Sequence, residues 1–218
     1  KRGINQIVLP TEKQANILDK NLLVKLLADE SATFVINCAA YTAVDKAEDE
    51  QEICRAINET GALNLAEACL QTGANLIHVS TDFVFEGDEV KLLKEDDMAK
   101  PINVYGQTKL DGERAIQKIW HKHFIIRTSW VYSQFGNNFM KTMLRLASER
   151  DKLSVVNDQI GTPTNAVDLA EVLVKIISEH SKLNTEHFGI YNFSNEGQCS
   201  WYFFAKKIFE FNSVKINL

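Results

Sequence analysis

Short runs of almost entirely apolar residues alternate along this chain with longer stretches of helical period. Runs such as Thr33–Cys38 and Phe124–Thr128 have no polar side, which is typical of parallel strands covered by helices on both faces. Between them, apolar residues recur every three or four positions, as on the buried face of a surface helix. This alternation predicts an α/β fold with a doubly wound parallel sheet, whose ligand crevices lie at the carboxyl ends of the strands.

The periodicity places each element along the chain. The predicted strands are Ile4–Leu9, Thr33–Cys38, Asn75–Ser80, Phe124–Thr128, Leu153–Val156 and Gly189–Phe193. The predicted helices are Asn21–Glu30, Glu52–Gln71, Val104–His121, Asn138–Glu149, Asn165–His180 and one that Ser200 caps. In the second helix we expect Ile53, Ile57, Leu63, Leu65 and Ala66 to point inward.

Composition excludes several classes of partner. The 24 Lys and Arg residues against 29 Asp and Glu residues give a net charge of −5, which argues against binding nucleic acid. No apolar run approaches the roughly 20 residues of a membrane span. The cysteines form no CxxC pair and no histidine stands at metal-ligand spacing, so we expect no intrinsic metal site and a cytoplasmic protein.

The glycines show no GxGxxG or GxxGxxG spacing after the first predicted strand. A dinucleotide-binding sheet needs such a turn, because the pyrophosphate approaches the backbone there. The chain also opens on Lys1 rather than Met. We therefore expect that the natural protein is longer at both ends and that the glycine-rich unit precedes this residue.

One buried strand ends in two hydroxyls and a carboxylate, in the order Ser80, Thr81 and Asp82. Polar groups at the carboxyl end of a strand in an open α/β sheet point into the crevice where ligands bind. The same triplet is also common in caps and Asx-turns. The triplet alone leaves both interpretations open.

Tyr105 and Lys109 begin the next predicted helix, four residues apart and so on one face. A nearby lysine stabilises tyrosinate, so we expect Lys109 to lower the pKa of Tyr105 and suit it for proton donation to a carbonyl oxygen. Tyr202 and Lys206 have the same spacing within an aromatic-rich helix, and we interpret Tyr202 as structural. Only Tyr105 follows a strand end with hydroxyls by one loop.

Several segments in order carry a resemblance to a known family. They are Asn37–Glu48 (NCAAYTAVDKAE), Val79–Phe85 (VSTDFVF), Asn103–Lys109 (NVYGQTK), Arg127–Tyr132 (RTSWVY), Gly136–Met143 (GNNFMKTM) and Asp158–Thr164 (DQIGTPT). The set resembles the extended short-chain dehydrogenase/reductases, and among them the dTDP-4-dehydrorhamnose reductases. The likeness covers roughly residues 16–195 and implies a Rossmann-like fold.

The resemblance implies a catalytic triad of Thr81, Tyr105 and Lys109. Tyr105 would deliver a proton to the C4 keto oxygen of a nucleotide sugar as hydride arrives from NADPH. Lys109 would bond the nicotinamide ribose, and Thr81 would hold the keto oxygen. NADH remains an alternative cofactor, and the implied product is dTDP-L-rhamnose from dTDP-4-dehydro-6-deoxy-L-mannose.

The resemblance also implies the surroundings of that triad. The residues that would contact the cofactor are Asn16, Ile17, Ala40, Tyr41, Thr42, Val79, Tyr105 and Lys109. Those that would contact the substrate are Thr81, Asp82 and Trp130; without the family, Trp130 would be read as a core aromatic. Asn16 departs from the family's usual Asp, and Phe83 from its usual Tyr.

The same resemblance divides the chain. We expect residues 1–150 to form a dinucleotide-binding region without its first strand and glycine-rich turn. Residues 151–218 would add to the sheet and to a small, incomplete substrate-binding region. The resemblance also allows a homodimer.

Two other functions stay open at this stage. One is a non-catalytic subunit like the regulatory β subunit of methionine adenosyltransferase, which shares this fold. The other is a different ketoreductase or an epimerase of nucleotide sugars. Phe83 argues against a dehydratase, because related dehydratases carry a basic Glu at this position and a phenyl ring cannot take a proton.

Overall fold

A four-stranded sheet forms the frame of the first of two units into which the chain divides. The computed structural model describes residues 6–87, 91–183 and 187–217. The first unit comprises residues 1–127 and 173–192, and the second comprises 128–172 and 193–218.

The described part of the chain has the following elements. The strands are β1 (Phe34–Asn37), β2 (Asn75–Thr81), β3 (His123–Thr128), β4 (Val131–Tyr132), β5 (Ile160–Gly161), β6 (Thr164–Asn165), β7 (Gly189–Asn192) and β8 (Cys199–Ser200). The α-helices are α1 (Lys20–Asp29), α2 (Val44–Ala47), α3 (Gln51–Arg55), α4 (Gly61–Thr72), α5 (Val104–Ile119), α6 (Phe139–Glu149), α7 (Ala166–Leu183) and α8 (Trp201–Phe211). A π-helical turn spans Ala56–Thr60, and a 3₁₀ turn spans Asp82–Val84.

The sheet of the first unit has the strand order β1-β2-β3-β7. Strands β1 and β2 run parallel, with Asn37 opposite His78, and β3 and β7 also run parallel. Every residue of β3 is buried, as its lack of a polar side predicts. The predicted parallel sheet with flanking helices is confirmed.

The main core of this unit lies between the sheet and helices α1, α4 and α5. Leu23 and Leu27 of α1, Leu65 of α4 and Ile116 of α5 are buried with Leu76 of β2 in one cluster. Small residues on α4 belong to the same cluster and let the helices approach closely. This packing fixes α5 against β2, and the candidate site depends on that contact.

The second unit has its own small core and two short strand pairs. Met143 of α6 and Ile208 and Phe209 of α8 are buried together with Leu153. Strands β4 and β6 pair in parallel, and β5 and β8 pair antiparallel. Ser200 caps α8 by accepting a hydrogen bond from the backbone N–H of Phe203 at 3.2 Å, as predicted.

Two predicted strands are wrong where the structure describes them. In the first, Ile4–Leu9, residues 4–5 lie outside the described residues and 6–9 form no strand, with Ile7 68% and Leu9 88% exposed. In the second, Leu153–Val156, the backbone forms only a bridge beside it, between Lys152 and Asn217. An apolar run becomes a strand only where a neighbour pairs with it, and no described strand pairs with either run.

The predicted helix Glu52–Gln71 is divided by the π-helical turn between α3 and α4. A π turn adds a residue, which rotates the helix face relative to a continuous 3.6-residue period. Ile53, before the turn, is therefore exposed, although Leu65 and Ala66, after it, are buried as predicted. Each of the other predicted helices and strands is present, within three residues of its predicted ends.

Candidate active site

The carboxyl end of β2 builds one side of the candidate site. Thr81 is the last residue of the strand, and its Oγ1 accepts a hydrogen bond from the backbone N–H of Phe83 at 3.2 Å. The same hydroxyl donates to Oδ1 of Asp82 at 3.2 Å. The triplet therefore caps the 3₁₀ turn, as one of the two sequence interpretations predicts, and it leaves a hydroxyl and a carboxyl side by side at the strand end. The interpretation that these groups face a ligand stays a prediction.

The start of α5 builds the other side. The Oδ1 atom of Asn103 accepts from the N–H of Gly106 at 2.7 Å, and the Oε1 atom of Glu48 accepts from the N–H of Val104 at 2.8 Å. These two acceptors satisfy backbone donors that the first turn leaves without helical partners. Tyr105 lies in that capped turn and Lys109 one turn later.

A glycine brings the two sides together. A Cβ atom at position 106 would lie 2.2 Å from the carbonyl oxygen of Phe83, so only glycine lets α5 approach the 3₁₀ turn this closely. The rings of Phe83 and Tyr105 meet edge to face, with centroids 5.5 Å apart. The predicted pairing of the β2 end with Tyr105 is thus present in the fold.

Lys109 is buried behind this contact. Its Nζ donates to the carbonyl oxygen of Val79 at 2.8 Å and lies 3.2 Å from Nε2 of His78. Burial lowers the pKa of Lys109 to about 8, although the charge of Glu113 acts in the opposite direction. An amine with that pKa changes its protonation state close to physiological pH.

Burial also governs the hydroxyl and carboxyl groups of the site. It raises the pKa of Tyr105 to about 12; a hydrogen bond with Thr81 lowers that pKa in part and the charge of Asp82 raises it. Our expectation that Lys109 lowers the pKa of Tyr105 is therefore wrong here, because desolvation dominates and the Lys109 amine bonds to β2. Burial likewise raises the pKa of Asp82 to about 6.

The loop after β1 is held by a residue of the π-helical turn. The side-chain oxygen of Asn58 accepts from the backbone N–H of Tyr41 at 2.9 Å, and its amide nitrogen donates to the Tyr41 carbonyl at 3.1 Å. Tyr41 also donates its phenol to Glu50 at 2.6 Å. The two Asn58 bonds thus hold the backbone of this loop at Tyr41. On either side of Tyr41, Ala40 is half-buried and Thr42 is exposed.

Asn16 and Ile17 lie on a different part of the first unit. The side-chain amide of Asn64 donates to the Ile17 carbonyl at 3.1 Å, and a Cβ atom on Gly61 would meet the Ile17 side chain at 2.9 Å. Asn16 is exposed, and its side chain accepts from the N–H of Leu18. The segment is thus held against α4, and none of the described contacts joins it to Tyr105 or Lys109.

Trp130 belongs to the second unit. Its indole stacks on that of Trp201 with ring centroids 3.4 Å apart, and a Cβ atom on Gly161 would lie 2.5 Å from an atom of the Trp130 ring. Its backbone has a φ of 46°, uncommon for a residue other than glycine. Trp130 as a whole residue is half-buried.

A family model described as the RmlD substrate binding domain matches residues 1–217. The chain belongs to this family. It is 43% identical over 197 residues to the dTDP-4-dehydrorhamnose reductase of Aggregatibacter actinomycetemcomitans, covering 90% of this chain and 67% of that relative. It is 48% identical over 177 residues to the dTDP-4-dehydrorhamnose reductase of Escherichia coli K12, and the match covers 81% of this chain and 58% of that relative.

A solved structure agrees with this assignment. The dTDP-4-dehydrorhamnose reductase of Bacillus anthracis, crystallised in complex with NADP, superposes with a TM-score of 0.91 at 42% identity. The match covers 98% of this chain and 74% of that one. The fold of this RmlD-family chain is therefore Rossmann-like, as predicted. The chain spans 58–67% of the length of the two curated relatives.

Sequence reasoning missed three polar residues that support the site in this RmlD-family chain: Asn37, Asn58 and His78. Asn58 lies within the π-helical turn, which the period of the apolar residues does not predict. Asn37 and His78 are far apart in sequence and become neighbours only through strand register. A polar residue inside an otherwise apolar strand was the one signal available for them, and it does not reveal a partner.

Within 6–87, 91–183 and 187–217, no three or more His, Cys, Asp or Glu side chains are grouped so that they could hold a metal ion. Over the same residues, no helix combines the length and the apolar character that crossing a membrane requires.

Proposed function

We propose that this chain provides the reductive site of an NADPH-dependent enzyme that converts dTDP-4-dehydro-6-deoxy-L-mannose into dTDP-L-rhamnose. The observation that carries the proposal is the meeting of Thr81, Tyr105 and Lys109 where β2 ends and α5 begins. The names of the relatives support the same reaction, and NADP in the Bacillus anthracis structure supports the cofactor.

The groups present at the site fit a nicotinamide dinucleotide. The buried Lys109 amine and the Tyr105 hydroxyl can form hydrogen bonds with the ribose hydroxyls. Asn58 holds the loop that contains Ala40, Tyr41 and Thr42 through its two bonds to the Tyr41 backbone. We propose that these residues and Val79 hold the nicotinamide half, with Asn16 and Ile17 at the adenine end. When bound, the reduced dinucleotide supplies the hydride.

The residues of this chain then supply a proton and its positioning. Since burial raises the pKa of Tyr105 to about 12, the phenol keeps its proton at neutral pH and can give it to the C4 oxygen. Thr81, beside it, is the proposed second donor to that oxygen, in place of its hydrogen bond to Asp82. Asp82 and Trp130 are the proposed substrate contacts. The low exposure of Thr81 and Tyr105 keeps water from competing for these hydrogen bonds.

The test is consumption of NADPH by the purified protein with the dTDP-4-keto sugar. Replacing Tyr105 with Phe removes the proton donor and should lower kcat roughly 10²-fold or more. Tyr202→Phe is the matched control, because Tyr202 has the same four-residue spacing to a lysine on α8 and should leave kcat unchanged.

An unchanged kcat in Tyr105→Phe would remove the phenol from the mechanism. Dinucleotide binding without turnover of the keto sugar in the wild-type protein would contradict the proposed reaction and favour a binding subunit. Turnover of a different nucleotide sugar at a higher kcat/KM would retain the reductase chemistry and change the substrate.

A further inference from the structure

A chain of buried polar side chains lies behind Lys109 and leads away from the reacting groups. Asn37 on β1 and His78 on β2 are direct partners in the parallel register, so their side chains lie on one face of the sheet. Asn37 is 5% exposed, and His78 and Lys109 are each 1% exposed. Polar groups this deeply buried must satisfy one another, because water cannot reach them.

The backbone fixes the orientation of the Asn37 amide. Its Oδ1 accepts a hydrogen bond from the backbone N–H of Ala39 at 3.0 Å. The Nδ2 atom therefore faces His78, 2.9 Å from Nδ1. Because an amide nitrogen only donates, Nδ1 of His78 must be the unprotonated nitrogen of the ring.

That requirement places the His78 proton on the side of Lys109. Burial is the largest of the causes that lower the pKa of His78 well below its ordinary value, so the ring is neutral. A neutral ring whose Nδ1 accepts carries its proton on Nε2, which lies 3.2 Å from Nζ of Lys109. An ammonium group has no lone pair to accept from it, whereas a neutral amine has one.

We propose that Asn37 and His78 form a positioning pair that favours Lys109 as a neutral, hydrogen-bond-accepting amine in the protein without ligands. The amine receives the Nε2–H of His78 and still donates to the Val79 carbonyl at 2.8 Å. Protonation of Lys109 then requires the Asn37 amide to turn over, so that His78 carries its proton on Nδ1 and accepts at Nε2.

Burial and the charges around Lys109 act on its protonation in opposite directions. Its titratable neighbours are His78 on β2, Glu113 on α5, Cys38 after β1 and Cys54 on α3. Glu113, Cys38 and Cys54 all favour the charged amine, but the Glu113 carboxylate is already bound by Arg127 at 2.8 Å. Desolvation is the largest influence on Lys109 and favours the neutral form.

The pair also links the charge of Lys109 to a loop. Turning the Asn37 amide would place its NH₂ group against the N–H of Ala39 and break that bond. Ala39 directly precedes Ala40, Tyr41 and Thr42, the loop that we propose for the cofactor. A change of charge at Lys109 would thus break a hydrogen bond to the backbone directly before that loop.

The first test is the tautomer of His78, measured by ¹⁵N NMR of the histidine rings without ligands at about pH 9, above the pKa of about 8 at which Lys109 loses its proton. We expect the form protonated on Nε2 alone. His123 is an internal reference for the other form, because its Nδ1 lies 2.5 Å from the Trp120 carbonyl and must donate to it. A His78 ring protonated on Nδ1, or on both nitrogens, would overturn the proposal.

The second test uses Asn37→Asp, whose carboxylate accepts from both Ala39 and His78. It should move the His78 proton to Nδ1 and raise the pKa of Lys109, followed by NMR of labelled lysine, by about one pH unit or more. Cys38→Asp also adds a carboxylate near Lys109, but it leaves the His78 bonds intact and should not change the tautomer. An unchanged tautomer in Asn37→Asp would contradict the pairing.

The role of Lys109 as part of a reductase rests on the proposed function, but both NMR measurements need neither cofactor nor substrate. If the tautomer is as expected and no keto sugar is reduced, the proposed function alone fails. If the sugar is reduced and His78 is protonated on Nδ1, the positioning pair alone fails.

Discussion

Asp82 is an acid held where its charge is poorly solvated. Burial raises its pKa to about 6, although a hydrogen bond from Thr81 lowers that pKa in part. Between about pH 4 and pH 6 the folded protein therefore holds a proton that the unfolded chain releases. Stability falls as the pH rises through that window, and the cost remains at neutral pH.

We predict that Asp82→Asn stabilises the protein at pH 7, by an amount on the order of 1–3 kcal/mol, and has little effect at pH 4. The amide keeps an acceptor for Thr81 without the buried charge. Urea denaturation at several pH values measures the difference, with the exposed carboxylate variant Asp49→Asn as control. A stabilisation that does not grow between pH 4 and pH 7 would contradict this explanation.

The same variant separates stability from function. If Asp82 contacts the substrate as proposed, Asp82→Asn should raise the KM for the keto sugar even as the fold becomes more stable. Strained or poorly solvated groups retained at a site commonly show this trade-off. A more stable variant with unchanged KM and kcat would remove Asp82 from the substrate site.

Local sequence predicted that Thr81, Tyr105 and Lys109 lie near one another, because a strand end and a helix start are short-range patterns. Local sequence did not predict the contact between Asn37 and His78, because these residues are 41 positions apart. It also misjudged the pKa of Tyr105, since a four-residue spacing shows that two side chains share a face but not how deeply they are buried.

At the scale of the element, helix α5 depends on acceptors at its first turn. The Asn103 side chain and the Glu48 carboxylate both accept from its backbone. Glu48 comes from the segment after α2, so the start of α5 is joined to the chain that follows β1. A negative carboxylate there also complements the positive end of the helix dipole.

We predict that Asn103→Ala costs about 1 kcal/mol of stability and also lowers kcat, because the turn that it caps holds Tyr105. Asn138→Ala is the matched control, since Asn138 caps α6 in the same way by accepting from the N–H of Lys141 at 3.2 Å. Thermal unfolding and NADPH turnover measure the two effects. An equal loss of kcat in both variants would show that the cap of α5 has no special role.

The predicted helix Glu52–Gln71 contains a π turn that the apolar period could not predict. The 3.6-residue period found helix on both sides of Ala56–Thr60 but not the π turn between them. That turn brings the Asn58 carbonyl to a glycine of α5: a Cβ atom at position 112 would lie 2.2 Å from it. The turn is set by helix packing and by the Asn58 bonds to Tyr41, which are tertiary contacts that a local period does not contain.

At the scale of the whole molecule, long-range pairing decides which segments belong together. Helix α7 begins in the second unit and ends in the first, and β7 returns to pair with β3. The periodicity predicted both elements but not this return. The functional division at residue 150 stays a prediction.

A buried ion pair connects most of the first unit. Arg127 on β3 binds Glu113 on α5 at 2.8 Å, and Ser80 on β2 donates to the same carboxylate at 2.5 Å. Arg127 also donates to the Glu95 carbonyl, and the Glu95 side chain accepts from the backbone N–H of Asn192 on β7. Three strands, one helix and one loop thus share a single network, one helical turn beyond Lys109.

We predict that Arg127→Met destabilises the protein by roughly 3–5 kcal/mol, because it leaves the Glu113 carboxylate buried without its partner. The double variant Arg127→Met with Glu113→Leu should recover part of that loss, since no unpaired charge remains. Arg145→Met is the control, because the Arg145–Glu149 pair is exposed and is worth about 0.5 kcal/mol. Urea denaturation measures all three variants. If Arg127→Met costs no more than Arg145→Met, the network does not hold the unit together.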